Sequence, residues 1–308
     1  MSEPATVEQL LRIGERVLSD STHIFEDHDT DAEAKELLAF CLEVDEDDLD
    51  EDEELPVRQR ERFLSLIARR AAGEPFPILV GRIEFYGLDL KVRAGAFVPR
   101  PSSELTVERA LRRLKRRQDP VVVDVCSGAG PIAMAIAVEV PRADVWGTDI
   151  DANGLTQARE NARDLDIDNV TFKRGDMYDA LPARLESSVD VITGHVPYVP
   201  LEEIEDLPSE VREHEPAFML SDQTEDGLFL MHKAVFEAPR WLKPGGWLLL
   251  EVSEDFGSKI RRLCRQAGLD DHGAAMDEDR LSVVVEARKP DGGAPRPPKN
   301  RRSGKRSR

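Results

Sequence analysis

Two short stretches carry residues able to do chemistry. The first, 121–130, reads VVVDVCSGAG and opens into PIAMAIAVEV: a β-branched run, then a glycine-rich turn ahead of an apolar helix. Gly128 and Gly130 permit positive φ and let backbone N–H groups approach a ligand closely, so a nucleotide-like cofactor is expected across this turn. Asp149 follows at about the spacing of a ribose-binding carboxylate and can accept from both ribose hydroxyls. The second stretch, 194–200, reads GHVPYVP and follows the strand-like run 189–193 directly. It sets His195, Val196, Pro197 and Tyr198 at the carboxyl edge of a sheet, where doubly wound folds bind their ligands. A loop of this kind exposes rigid backbone carbonyls beside a flat aromatic wall, and such carbonyls hold a substrate N–H. This makes it the candidate acceptor site, with His195 and Tyr198 as catalytic candidates.

The elements that must position these residues follow from hydrophobic periodicity. From residue 120 onward helices and strands alternate: the turn and its helix, strand 144–150, helix 152–165, strands 169–174 and 189–193, helix 227–241, the turn Lys243-Pro244-Gly245-Gly246, strand 247–253, helix 257–267 and strand 281–287. Alternation of this kind predicts an α/β fold with a doubly wound, mostly parallel sheet over 100–289. Ahead of it, 1–74 reads as a small helical domain. Its first two helices carry Val7, Leu10, Leu11, Gly14, Val17 and Leu18, then Ala34, Leu37, Leu38, Cys41 and Leu42; a third carries Phe63, Leu64, Ile67, Ala68 and Ala71 and ends at Gly73. Residues 75–99 form the link, with FPILVGRIEFYGLDLKVR read as a β-hairpin broken at Tyr86-Gly87. In the segment FVPRPSSE two prolines fix an extended chain and Ser102 or Ser103 caps the helix beginning near Glu104. That segment can fold back over the cofactor turn with Arg100 as a lid residue.

Charge and cysteine usage narrow the function classes. The formal charge is −19, and because 291–308 hold seven Lys/Arg against Asp291, the remainder carries −25 and should repel nucleic acid. The run 112–117, RRLKRR, is then a solvated helix end that complements the dipole rather than a nucleic-acid patch. Residues 43–54 hold ten carboxylates in twelve positions but match no calcium-loop spacing, so a solvated loop is expected and no metal. Cys41, Cys126 and Cys264 lie far apart without ligand spacing, which argues for buried thiols. No long apolar run or signal-like start is present, so a cytoplasmic protein without membrane contact is expected, and a monomer. The stretch 290–308 has no apolar anchor and reads as a disordered basic tail.

Taken in order, RRAAGEPFPILVGRIEFYGLDLKV, FVPRPSSE, DVCSGAG, DIDANGLTQARENA, GDMYDAL, VPYVP, HEPAFML, EDGL and LKPGGWLLLEV resemble the class I S-adenosylmethionine-dependent methyltransferases that methylate the glutamine amide of peptide chain release factors. The resemblance covers most of the chain. It implies that Cys126, Ser127, Gly128, Ala129 and Gly130 wrap the methionine end of S-adenosylmethionine, that Asp149 binds its ribose and that Met177 lies beside the adenine. It also implies that the 195–198 loop grips the amide of a release factor, and that 1–74 recognises the substrate. Two departures stand out: the family's Asn-Pro-Pro-Tyr is here His195-Val196-Pro197-Tyr198, and the first glycine of its turn is Cys126. The histidine can replace the asparagine oxygen as a neutral imidazole acceptor, act as a general base toward another acceptor, or be structural. A methyltransferase for another side chain or small molecule, and a cofactor-binding partner subunit without catalysis, are the alternatives. Ser102, Ser103 and Ser127 have no His/Asp partner identifiable in sequence, so hydrolase chemistry has no support.

Overall fold

The computed structural model describes residues 5–24, 29–277 and 282–292. Of the proposed tail, 293–308 lies outside these residues.

Three helices open the chain: α1 (Val7–Ser19), α2 (Thr30–Leu42) and α3 (Val57–Ala71). Thr6 and Gln9 start α1 with a reciprocal capping box, and Asp29 caps α2 by accepting from the Ala32 N–H. Val7, Leu10, Leu18, Leu37, Leu38, Cys41, Phe63 and Ile67 form their shared core. The buried face of α3 is rotated from the expected one: Leu64 and Ala68 point outward, while Leu66 and Arg70 point in. Arg70 can occupy that face because carboxylates meet it there, a pairing that apolar periodicity does not record. The acidic run is exposed apart from the half-buried Leu49, with a single 3-10 turn at Glu46–Asp48. The carbonyls of Glu51 and Glu53 accept from the Glu8 and Val7 N–H groups at the start of α1. No cluster of metal-ligating side chains occurs among the described residues.

The hairpin is shorter than the sequence suggests. Phe76–Val80 form a helical turn, α4, because Pro75 and Pro77 favour a helix start and Gly81 closes it in the left-handed region. Only β1 (Arg82–Phe85) and β2 (Leu88–Lys91) make the hairpin.

Next come α5 (Glu104–Leu114), β3 (Val121–Val125), α6 (Pro131–Glu139), β4 (Asp144–Asp149), α7 (Ala152–Asp164), β5 (Val170–Arg174) and β6 (Val189–His195). A Pro-rich insertion with α8 (Ser209–Arg212) and α9 (Ala217–Leu220) precedes α10 (Phe229–Trp241), β7 (Leu242–Val252), α11 (Glu254–Gln266), β8 (Asp270–Met276) and β9 (Val283–Arg288). The seven-stranded sheet has the order β5-β4-β3-β6-β7-β9-β8. The first five are parallel, and β9 and β8 add on antiparallel at the edge. This is a doubly wound sheet, mostly parallel as expected. β7 begins at Leu242, earlier than expected, with the Lys243-Pro244-Gly245-Gly246 turn carried as an irregularity in its pairing with β6. Strand order reverses beside β3, which has β4 on one side and β6 on the other, so the carboxyl ends of β3 and β6 define the ligand crevice.

The basic run at the end of α5 is not a purely solvated face. Arg109 and Arg113 pair with the buried Glu286, Arg113 lies 3.7 Å over the Trp247 ring, and Arg117 donates to the Gly245 carbonyl at 2.8 Å. These arginines fasten α5 across the far strands. Among the described residues no helix is long and apolar enough to cross a membrane. The thiols of Cys41 and Cys264 are buried and that of Cys126 is half-buried.

Candidate active site

At the end of β3 the chain turns sharply. Cys126 adopts φ 55° and Gly128 φ 53°. The loop is tied down by side chains already placed by the sheet: Ser127 donates to Asp124 Oδ2 at 2.6 Å, and Thr193 on β6 donates to Asp124 Oδ1 at 2.7 Å. Asp149 receives the Gly128 N–H at 2.8 Å and the Asp151 N–H at 2.7 Å, one on each oxygen. The carboxylate is therefore fixed by backbone donors while keeping lone pairs for a diol. Gly130, φ 80°, starts α6 behind the loop; a Cβ there would sit 2.5 Å from the Phe172 ring, so its role is to let α6 and β5 close up rather than to line the cavity. Met177 is 2 % exposed, with its sulfur 3.6 Å from the Cys126 sulfur. Burial, reinforced by Asp149 and Asp124, pushes the Cys126 thiol well above its ordinary range and keeps it neutral.

A cavity of about 390 Å³ joins this cradle to the loop after β6. Its lining takes in Cys126, Ser127, Gly128, Ala129, Asp149 and Met177 on one side and His195, Val196, Pro197 and Tyr198 on the other, so all but Gly130 of the sequence-derived candidates share one space. The His195 ring is stacked on Tyr198, centroids 6.1 Å apart, and meets the edge of Phe97 at 5.5 Å. Tyr198 in turn packs on Phe256, and burial raises its phenol pKa, which keeps the ring a neutral wall rather than a base. Below the loop lies Gly227, φ 62°; a Cβ at this position would come within 2.1 Å of the Tyr198 carbonyl oxygen, so the EDGL segment needs glycine there for the 195–198 loop to rest on it.

The segment before α5 covers the cavity differently from the expected lid. Arg100 lies over Phe97 and pairs at 2.7 Å with Glu215, a buried residue of the insertion, tying the two covering segments together. Neither Ser102 nor Ser103 caps α5 with its side chain. Ser102 donates to Glu251 at 3.3 Å, and Ser103 Oγ stands 3.4 Å from His195 Nδ1. Ser103 thus has a histidine neighbour that sequence spacing could not show. It is nonetheless no hydrolase triad: Glu251 and Ser103 face the same ring nitrogen, whereas a triad needs carboxylate and nucleophile on opposite nitrogens. Asp124, Thr193 and Glu251 are the site residues that sequence reasoning missed. A lone acid inside the apolar strands VVVDV and LLLEV was the available signal for two of them.

The donor set fits S-adenosylmethionine: backbone N–H groups and a half-buried thiol at the turn, an anchored carboxylate for the ribose, an apolar methionine wall, and a buried carboxylate, Asp124, for a cationic ligand. Burial raises the Asp124 pKa from 3.8 to about 6, against the lowering effect of Ser127 and Thr193. This proton contributes stability that is fully present below pH 3.8 and lost as pH rises through about 6. A cation beside the group favours its charged form, so cofactor binding should release a proton, and affinity should rise with pH, below about pH 6. Calorimetry in buffers of different ionisation enthalpy would show the release; buffer-independent heats in that window would exclude the coupling. Replacing Asp149 by alanine should weaken cofactor binding by about 1.5–3 kcal/mol, the range for hydrogen bonds to a charged group. An unchanged dissociation constant would remove Asp149 from the site.

Comparison with known proteins gives the same class. Residues 117–280 match the methyltransferase domain family and residues 9–81 the PrmC N-terminal domain family. Fold, cradle and domain match together define a Rossmann-like methyltransferase. A release factor glutamine methyltransferase of Xylella fastidiosa is 35 % identical over 258 residues, covering 82 % of this chain and 91 % of the relative. That of Moorella thermoacetica is 38 % identical over 218 residues, covering 70 % and 75 %. The chain belongs to the release factor glutamine methyltransferase family. Among solved structures, a methyltransferase of Pyrococcus furiosus aligns with a TM-score of 0.47 at 17 % identity, covering 66 % of this chain and 90 % of that one.

Proposed function

We propose that the protein transfers a methyl group from S-adenosylmethionine to the side-chain amide nitrogen of a glutamine in a peptide chain release factor. The observation that carries this reading is the shared cavity, which is lined by both the 126–129 turn and the 195–198 loop. S-adenosylmethionine supplies an electrophilic methyl on a sulfonium centre. The protein has to hold acceptor and donor in line and exclude water from the charge. The carboxylates of Asp149 and Asp124 fix the ribose and offset positive charge. Met177 supplies the apolar wall for the adenine.

A planar amide nitrogen is a poor nucleophile. Two acceptors on its two hydrogens favour an electron-rich, pyramidal nitrogen as the new bond forms, an electrostatic contribution of the kind made by preorganised dipoles. The Val196 carbonyl takes one hydrogen and the neutral His195 imidazole the other, in place of the family asparagine. Tyr198 keeps the amide plane against the loop, and the Arg100–Glu215 pair holds the cover closed. In this reading residues 1–74 recognise the release factor, 75–99 link, and 100–289 catalyse. The protein works as a cytoplasmic monomer without nucleic-acid contact; the strongly acidic body supports the last point. The test is formation of S-adenosylhomocysteine with and without acceptor. Turnover that requires a release factor supports the reading, and equal turnover without one would refute it.

A further inference from the structure

β6 and β7 run parallel in a register that sets His195 directly beside Glu251. Glu251 is 1 % exposed, an acid buried at the cavity floor, and its oxygens are oriented by two hydroxyls: Ser102 donates to Oε1 at 3.3 Å and Thr106 to Oε2 at 3.1 Å. His195 Nδ1 is turned toward this carboxylate at 3.7 Å and toward Ser103 Oγ at 3.4 Å. The ring plane is held by Tyr198 on one face and the Phe97 edge on another side. Among the described residues, Nε2 has no hydrogen-bonding protein partner. Arg100, the cation nearest in sequence to this cluster, is engaged by Glu215 and Phe97 instead.

A neutral imidazole carries one proton, and its position is set by what each nitrogen faces. A lone pair on Nδ1 would point at a buried carboxylate, whereas an N–H there points at two acceptors. We infer that Glu251 is a positioning residue that holds His195 in the Nδ1–H tautomer, leaving the Nε2 lone pair to accept the substrate amide hydrogen. This deepens the proposed amide clamp and rests on it. An asparagine at this position would present its oxygen without such help; a histidine presents an acceptor only when its proton is kept on the other nitrogen. The departure from the family asparagine is thus made workable by the neighbouring strand.

The tautomer can be read without catalysis. In full-length protein labelled with ¹⁵N-histidine, long-range proton–nitrogen correlation spectra distinguish protonated from bare ring nitrogens, and the His195→Asn spectrum identifies the signal. The expected result is a protonated Nδ1 and a bare Nε2 while the ring is neutral; the reverse pattern overturns the inference. Glu251→Leu should shift the ring toward the Nε2–H form and lower kcat roughly tenfold, with a clearly smaller effect in the His195→Asn background, as coupled neighbours require. Equal losses in both backgrounds would mean that Glu251 only supports the covering segment, and would also overturn the inference. If the leucine variant does not fold, the wild-type spectrum decides. A wild-type enzyme that leaves a glutamine-bearing release factor unmethylated would refute the function instead, and the ring spectrum would be unaffected by that outcome.

Discussion

Alanine at position 195 is expected to slow methyl transfer to a glutamine-bearing release-factor fragment by roughly 10²–10³-fold, the cost of removing one preorganised polar group from a site where charge develops. Asparagine at the same position restores a side-chain oxygen and is expected to retain most of the activity. If His195 instead removes a proton from a different acceptor, asparagine cannot replace it and a loss of roughly 10²–10⁴-fold is expected. Full activity in the alanine variant would show that the ring is structural.

The second large effect lies away from the chemistry. Arg70 on α3 is fully buried; it donates to both oxygens of Glu33 on α2, at 2.7 and 3.1 Å, and to Glu210 on α8 at 2.8 Å. One guanidinium thus joins the amino-terminal helices to the insertion that covers the cavity. Arg70→Ala would remove the buried cation that joins two half-buried carboxylates, for an expected loss of about 3 kcal/mol, the lower end for breaking a buried pair. Lysine should rescue little, since it cannot make the paired contact to Glu33 and still reach Glu210. Urea unfolding measures the loss, and a change under about 1 kcal/mol would mean the cluster behaves as an exposed one. Because the insertion carries Glu215, the same variant should raise KM for the release factor more than it alters cofactor affinity.

The centre of the fold was legible because local and global signals agree there. A β-branched run, a glycine turn and an apolar helix leave one geometry for 121–139, and the strand that carries His195 at its end gives way to the proline loop. β8 was not legible: DDHGAAM has no β-branched residue and owes its strand state to pairing with β9. The insertion escaped notice because α8 and α9 are four residues each, too short for periodicity to register. The inward turn of Arg70 and the reach of Arg113 and Arg117 depend on acids distant in sequence. Ser102 and Ser103 look like helix caps locally, yet the sheet offers Glu251 and His195 as stronger partners. What the sequence could not supply in each case was the neighbour across space.

The most direct test is the accurate mass of a purified release factor after incubation with the enzyme and S-adenosylmethionine. A gain of one methyl group, absent when the acceptor glutamine is replaced by glutamate, is the expected result. An unmodified factor under conditions where the enzyme consumes cofactor with some other acceptor would contradict the assignment.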